Sequence, residues 1–314
     1  MNLWFAIFWV DLISMHSNVY IQTPTFESLK LKAEKGLNVF FKMDCFQPAA
    51  SFKLRGMSEL VRHHISQGNK NFVASSGGNA GLALAYAGYK LGGKVKVIVP
   101  KTTSEFMIEK ISQLNADVEV YGDVWDEAHE HALKVAKELN AIYVSPFDDP
   151  LLWKGHSTLI DECAEQIGKV DAVVLAVGGG GLLCGVLEGL KKHGWMDTKV
   201  ITTETEGAAS FAKSFAANEI VELDTINTIA TSLGAKRITQ AALDRSAEFN
   251  IQPLVMTDEK AIDATQLFMR DYNILVEAAC GTALAVPYLF PEILSKDDKV
   301  LVIACGGANT LKPI

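Results

Sequence analysis

The 314-residue chain has no basic run, no CxxC pair, no low-complexity linker and no apolar stretch long enough to span a bilayer. Each absence removes a class of function. With a formal net charge of -8 at pH 7, nucleic acid is not expected as a partner, because phosphate contacts need clustered positive charge. The five cysteines, Cys45, Cys163, Cys184, Cys280 and Cys305, are an odd number without regular spacing. A disulfide framework is therefore not expected, and a reducing cytoplasmic setting is. His129 and His131 sit two apart on a predicted helix, where they point to different faces and read as exposed residues rather than metal ligands. The apolar N-terminal run is cut by Asp11, whereas a membrane-spanning helix needs roughly 20 residues. It shows neither the basic region nor the small-residue cleavage site of a signal peptide. No membrane association is expected, and residues 1–15 read as a short extension, with Met15 an alternative start.

What is present is a chain built to fold. It is 49% hydrophobic and only 21% charged, enough to bury a sizeable interior. Short β-branched runs alternate with helical patterns. Strands are predicted at 71–74, 94–99, 118–121 and 141–144, with helices at 81–91 and 126–139 between them. Thr102 and Glu105 have capping-box spacing ahead of a helix predicted to run to about Leu114. After Pro146 the rhythm restarts, with helices at 156–167 and 182–192 and strands at 172–177, 200–203 and 300–304. Such alternation predicts an α/β fold of parallel strands with crossover helices, in two lobes. The last strand lies close to the end of the chain, so no appended regulatory domain is expected.

Four segments are out of proportion to a plain scaffold. Gly178, Gly179, Gly180, Gly181 and Leu182 lie between a strand and a helix. Without Cβ atoms their N–H groups can converge on an anion, and the helix dipole adds to the attraction. The window from Gly178 reads GGGGLL, which fails the GxGxxG dinucleotide fingerprint at its last position and weighs against a nicotinamide enzyme. Ser75-Ser76-Gly77-Gly78-Asn79-Ala80-Gly81 is a second such loop, rich in donors suited to a carboxylate. In Ser51-Phe52-Lys53-Leu54-Arg55-Gly56, apolar neighbours flank a lysine whose burial would lower its pKa and free the amine. Cys305 leads a strand end into Gly306, Gly307, Ala308 and Asn309, where open α/β sheets gather ligands. Singly, each turn is compatible with an ordinary connection.

Together, SFKLRG, SSGGNAG, VGGGGLLCG and CGGAN resemble the fold-type II pyridoxal phosphate (PLP) enzymes, the tryptophan synthase β-like family. Within it they are most similar to the catabolic L-serine dehydratases, or serine/threonine ammonia-lyases. The resemblance runs from about Thr23 to Asn309 and includes Pro146-Phe147-Asp148-Asp149-Pro150 and Leu275-Val276-Glu277. It implies a two-lobed fold with parallel or mixed sheets, a large PLP-binding domain of 1–46 plus 151–314, and a small domain of 47–150. It also implies a homodimer acting on an amino-acid substrate. Lys53 would carry PLP covalently, with Phe52 against the ring. Gly178, Gly179, Gly180, Gly181 and Leu182 would hold the phosphate, Asn79 the ring hydroxyl, and Cys305 would face the ring nitrogen. Ser76, Gly77, Asn79 and Ala80 would bind the substrate carboxylate. Glu204, Ala208, Ser210, Leu233 and Ala235 match positions that coordinate a monovalent cation, usually K+. Ala80 stands where threonine deaminases and serine racemases often have histidine, which favours the serine dehydratases. Ala49-Ala50 depart from the pattern, since many relatives have glycine, serine or threonine just before Ser51.

Overall fold

The computed structural model describes residues 19–308, so the expected extension over 1–15 and Asn309 lie outside the described residues. Two sheets organise the chain. The first has the order β1-β2-β10-β7-β8-β9 and the second β5-β4-β3-β6.

In the six-stranded sheet, β1 (Thr25–Glu27) pairs antiparallel with β2 (Asn38–Lys42) and every other pairing is parallel. β7 (Ala172–Ala176), β8 (Lys199–Thr205) and β10 (Lys299–Ile303) are buried almost throughout. That is why they read as continuous apolar or β-branched runs: helices cover both faces of a parallel sheet. β9 (Asn250–Met256) carries Pro253, tolerated because β9 is the edge strand and an edge position need not donate to a neighbour. The four-stranded sheet, β3 (Asn71–Ala74), β4 (Lys94–Val99), β5 (Asp117–Val120) and β6 (Ile142–Tyr143), is wholly parallel.

The helices are α1 (Leu29–Lys35), α2 (Lys53–Ser66), α3 (Asn79–Leu91), α4 (Glu105–Ser112), α5 (Trp125–Glu138), α6 (Pro150–Ile167), α7 (Gly181–Lys192), α8 (Ser210–Ala217), α9 (Gln240–Ser246), α10 (Asp258–Tyr272) and α11 (Ala278–Leu289). One hydrophobic cluster runs from β2, β7 and β10 through α2, α6 and α7 to β3 and β4. A smaller one, built on Val73, Ile98, Ala128 and Ala132, lies under α5.

Three expectations need correction. The Thr102/Glu105 capping box is not formed: Glu105 is the first helical residue, and the Ser104 side chain accepts from the Met107 N–H. A serine immediately before the helix is the better-placed cap. The helix expected from 156 starts at Pro150, where Asp149 accepts from the Leu151 N–H at 2.7 Å and proline occupies the first turn. Proline is suited to that place because its missing N–H would be unpaired anyway. His129 and His131 are half-buried rather than exposed. His129 stacks on Trp125 and bonds the Tyr143 hydroxyl, while His131 stacks on Tyr121 and bonds Glu119.

Candidate active site

The loops after β3, β7 and β10 all leave the carboxyl ends of parallel strands, and the structure brings them to one place. The Lys53 turn is bound to the β10 loop by main-chain hydrogen bonds. Phe52 N–H donates to the Cys305 carbonyl at 3.1 Å, Gly307 N–H donates to the Ala50 carbonyl at 2.8 Å, and Ser51 bridges Gly306. A Cβ on Gly306 would strike the Ala50 carbonyl, and its φ of 89° is one that glycine tolerates. The small residues of this segment are thus required by close backbone approach.

Asn79, first residue of α3, closes the ring of loops. Its Oδ1 accepts from the Ala308 N–H at 2.8 Å, and its Nδ2 donates to Glu277 Oε1 at 2.8 Å and Ser232 Oγ at 3.1 Å. One amide therefore joins the four-stranded side to the β10 loop, to the residue before α11, and to the turn behind Gly178. Lys53 Nζ donates to the Pro146 carbonyl at 2.6 Å and lies 5.1 Å from the Phe52 ring centroid. Burial lowers its pKa to about 8, against the opposing pull of Cys305 and Glu277. Near pH 7 roughly a tenth of such an amine is unprotonated, against well under a thousandth for an ordinary lysine.

The glycine turn is an anion cradle in shape. Gly180 has φ 94°, and no side chain caps α7 there. A Cβ on Gly179 would meet the Phe147 ring, one on Gly181 the Phe147 carbonyl, and one on Gly178 the backbone of Ser232 and Leu233. α3 likewise opens on Gly78 without a side-chain cap, whereas α4, α6 and α10 are capped by Ser104, Asp149 and Thr257. Both helix starts at the cleft therefore have first-turn N–H groups available to an anionic ligand. Ser76 and Gly77 are half-buried in the same loop and Ala80 is buried behind it.

Cys305 is buried, and a hydrogen bond with Cys280 followed by burial pushes its thiol well above the ordinary range. It is a neutral thiol at the foot of the cleft. Phe52 packs edge-on against His156, with centroids 4.9 Å apart. His156 is buried with neither ring nitrogen hydrogen-bonded, and burial keeps it neutral.

Glu204, at the end of β8, is also buried. Its carboxylate oxygens accept from Phe211 N–H at 2.8 Å and Ala212 N–H at 2.7 Å, at the start of α8, yet burial still pushes the carboxyl up to about 7. The Ser210 hydroxyl beside it is buried without a hydrogen-bond partner. Ala208 ends the short turn between β8 and α8. Ala235 N–H donates to the Leu233 carbonyl at 2.7 Å, in the turn that backs Gly178. Among the described residues, no three His, Cys, Asp or Glu side chains form a metal-binding group.

Sequence reasoning assigned no role to Pro146, Phe147, Ser232 or Glu277. The stretches containing Pro146, Phe147 and Glu277 stood out only through family resemblance, because a backbone carbonyl or an ordinary glutamate carries no local signature.

The family model for pyridoxal-phosphate dependent enzymes matches residues 16–306. The chain is 40% identical over 311 residues to a Mus musculus protein named L-serine dehydratase/L-threonine deaminase, covering 95% of this chain and 94% of that one. It is 40% identical over 314 residues to the L-serine dehydratase of Dictyostelium discoideum, covering 93% and 89%. A solved fungal L-serine ammonia-lyase from Rhizomucor miehei superposes with a TM-score of 0.88 at 36% identity, covering 93% of this chain and 96% of that one. Maize serine racemase superposes at 0.87 with 23% identity, covering 96% and 93%, a likeness of fold alone.

Proposed function

The chain belongs to the family of pyridoxal-phosphate-dependent enzymes, and on that premise we propose that it is an L-serine ammonia-lyase. It converts L-serine to pyruvate and ammonia, and L-threonine to 2-oxobutanoate. The observation that carries this reading is the meeting of a half-buried, pKa-lowered amine, Lys53, with two uncapped helix N-termini and a neutral buried thiol in one cleft.

The residues present fit the cofactor. The cradle of Gly178, Gly179, Gly180, Gly181 and Leu182 excludes side chains and offers N–H groups, which suits a phosphate. Asn79 and Phe52 would flank the ring, and Cys305 would meet its nitrogen as an uncharged group. When bound, PLP supplies an electron sink for the pair left at Cα when its proton is removed. The chain does the rest. Lys53 would hold the cofactor covalently, and its Nζ, as a free amine, would take the Cα proton. Ser76, Gly77, Asn79 and Ala80 orient the substrate carboxylate at the start of α3. The β-hydroxyl of serine takes up a proton and leaves as water, and the released unsaturated amine is hydrolysed by water to pyruvate and ammonia.

Finer points belong to the same proposal. The buried, unpartnered Ser210 hydroxyl beside Glu204 supports a K+ site completed by Ala208, Leu233 and Ala235. Family resemblance supports a homodimer and a division into lobes of 47–150 and of 1–46 plus 151–314. Five free thiols support a cytoplasmic setting, and no helix among the described residues is long and apolar enough to cross a membrane.

Borohydride reduction of the holoenzyme followed by peptide mapping tests the central assignment. The expected result is a single phosphopyridoxyl adduct on Lys53, and an adduct elsewhere or none overturns it. Turnover of L-serine against L-threonine, with a chiral assay for D-serine, separates the lyase from threonine deaminase and serine racemase.

A further inference from the structure

Lys53 opens α2 without a side-chain cap: Phe52 precedes it in helical conformation, and only main-chain bonds hold the turn itself. Two residues on stands Arg55, about 200° further round the helix, so its side chain leaves on nearly the opposite side. It is fully buried. All its N–H groups are engaged, in two forks. Toward Asp44, Nε donates to Oδ2 at 2.7 Å and Nη2 to Oδ1 at 2.8 Å. Toward Glu162, Nη1 donates to Oε1 at 2.6 Å and Nη2 to Oε2 at 2.8 Å. Thr158 and Thr23 hydroxyls accept at 3.0 and 3.2 Å, and the Tyr20 ring centroid lies 5.1 Å from the guanidinium.

A fourth charge completes the set. Buried Lys42 donates to Glu162 Oε2 at 2.6 Å and to the Thr23 carbonyl at 2.7 Å. Two cations and two carboxylates thus balance with almost no solvent access. The partners come from β2, the turn after it, α6 and the segment before β1. None comes from the four-stranded sheet, although the body of α2 packs against α3 on that side.

Buried ion pairs are poor stabilisers compared with apolar residues of similar size. What a doubly forked guanidinium does provide is orientation, since two planar carboxylates constrain it in direction as well as distance. We infer that Arg55 is a positioning residue for the reaction: its network bolts the lysine-bearing turn to the six-stranded sheet and so holds the Lys53 amine in register with the Gly178–Leu182 cradle and Cys305. The inference rests on the proposed role of Lys53. It places that amine with the scaffold of the large sheet rather than with the Ser76–Ala80 loop opposite.

The test is Arg55→Lys in the holoenzyme. An ammonium keeps the charge and cannot form two forks. The expected result is a ~10–100-fold fall in kcat, as sub-ångström misplacement produces, with KM for L-serine changed less than threefold. The bound cofactor's absorbance maximum, or the pH midpoint of that band, should shift as well. Thr158→Val removes one partner without touching a charge, and serves if Arg55→Lys does not fold. Its expected effect is the same pattern at a few-fold size. Unchanged kcat and cofactor spectrum with only a lower Tm would reduce Arg55 to a structural residue and overturn the inference, as would KM and kcat moving together. If borohydride instead marks a lysine other than Lys53 in the unmutated enzyme, the proposed function fails rather than the positioning argument alone.

Discussion

The two sides of the cleft are built differently. Both sheets bury their inner strands, β7, β8 and β10 in one and most of β3 and β4 in the other, and leave β1, β5 and β6 at their edges without a buried residue. The difference lies in their charges. On the large-sheet side Arg55, Lys42, Asp44 and Glu162 are locked out of solvent; on the other, Lys96 meets Asp117 and Glu119 at the surface. The group that must act on one atom sits on the rigid side. The loop suited to admit and hold a carboxylate sits on the more open one. Forked ion pairs shut off from solvent hold orientation more firmly than pairs at the surface, so the asymmetry fits a fixed amine facing an adjustable binding loop.

The largest test of this division removes the amine. Lys53→Ala should lower pyruvate formation by ~10³-fold or more while leaving far-UV circular dichroism unchanged. Activity within tenfold of the parent would place the chemistry elsewhere in the cleft.

Opposite pH behaviour of two lysines sharpens the same contrast. Burial lowers Lys53 to about 8, so in cofactor-stripped protein the unfolded chain holds a proton that the folded one lacks between pH 8 and the unperturbed ~10.4. Stability should therefore rise with pH through that window by up to about 3 kcal/mol, and Lys53→Met should abolish the rise. Lys96 is raised, chiefly by its hydrogen bond to Asp117. Its contribution is present below the unperturbed value and lost only as pH climbs through the raised one. Urea unfolding at a series of pH values reads both.

Breaking one charge on each side should give unequal losses. Glu162→Gln strips a charge from a buried set and should cost about 3 kcal/mol, whereas Lys96→Met should cost no more than ~1 kcal/mol. Equal costs in urea would mean that the two sides are not held differently after all.

The smallest effect lies at Ala50, which adopts φ 58°, a left-handed conformation disfavoured for a residue with a Cβ. Its carbonyl is tied to Gly307 N–H, so the backbone cannot relax away. Ala50→Gly should raise stability by about 1 kcal/mol or slightly less, measured as a higher Tm with unchanged activity.

Much of this was legible in the chain. Strands at 71–74 and 94–99 were placed to the residue because buried parallel strands are continuous apolar runs between turns. Helix starts were less legible: the start at Pro150 was read six residues late, and Ser104 was passed over for Thr102. β1, β2, β9, α1 and α8 to α11 were not read. β2, for instance, pairs with β10 from the far end of the chain, and no local pattern announces such a partner.

The sequence by itself determined the chemistry on offer: a lysine in an apolar setting, two glycine-rich strand-to-helix loops, and a cysteine before a glycine pair. These are local properties of residue type and backbone freedom. Only the tertiary structure decided that Asn79 reaches Ala308, Ser232 and Glu277, that the Pro146 carbonyl receives the Lys53 amine, and that Arg55 faces Asp44 and Glu162. Those pairings join residues far apart in the chain, and the burial that gives each its strength exists only once both sheets have closed around them.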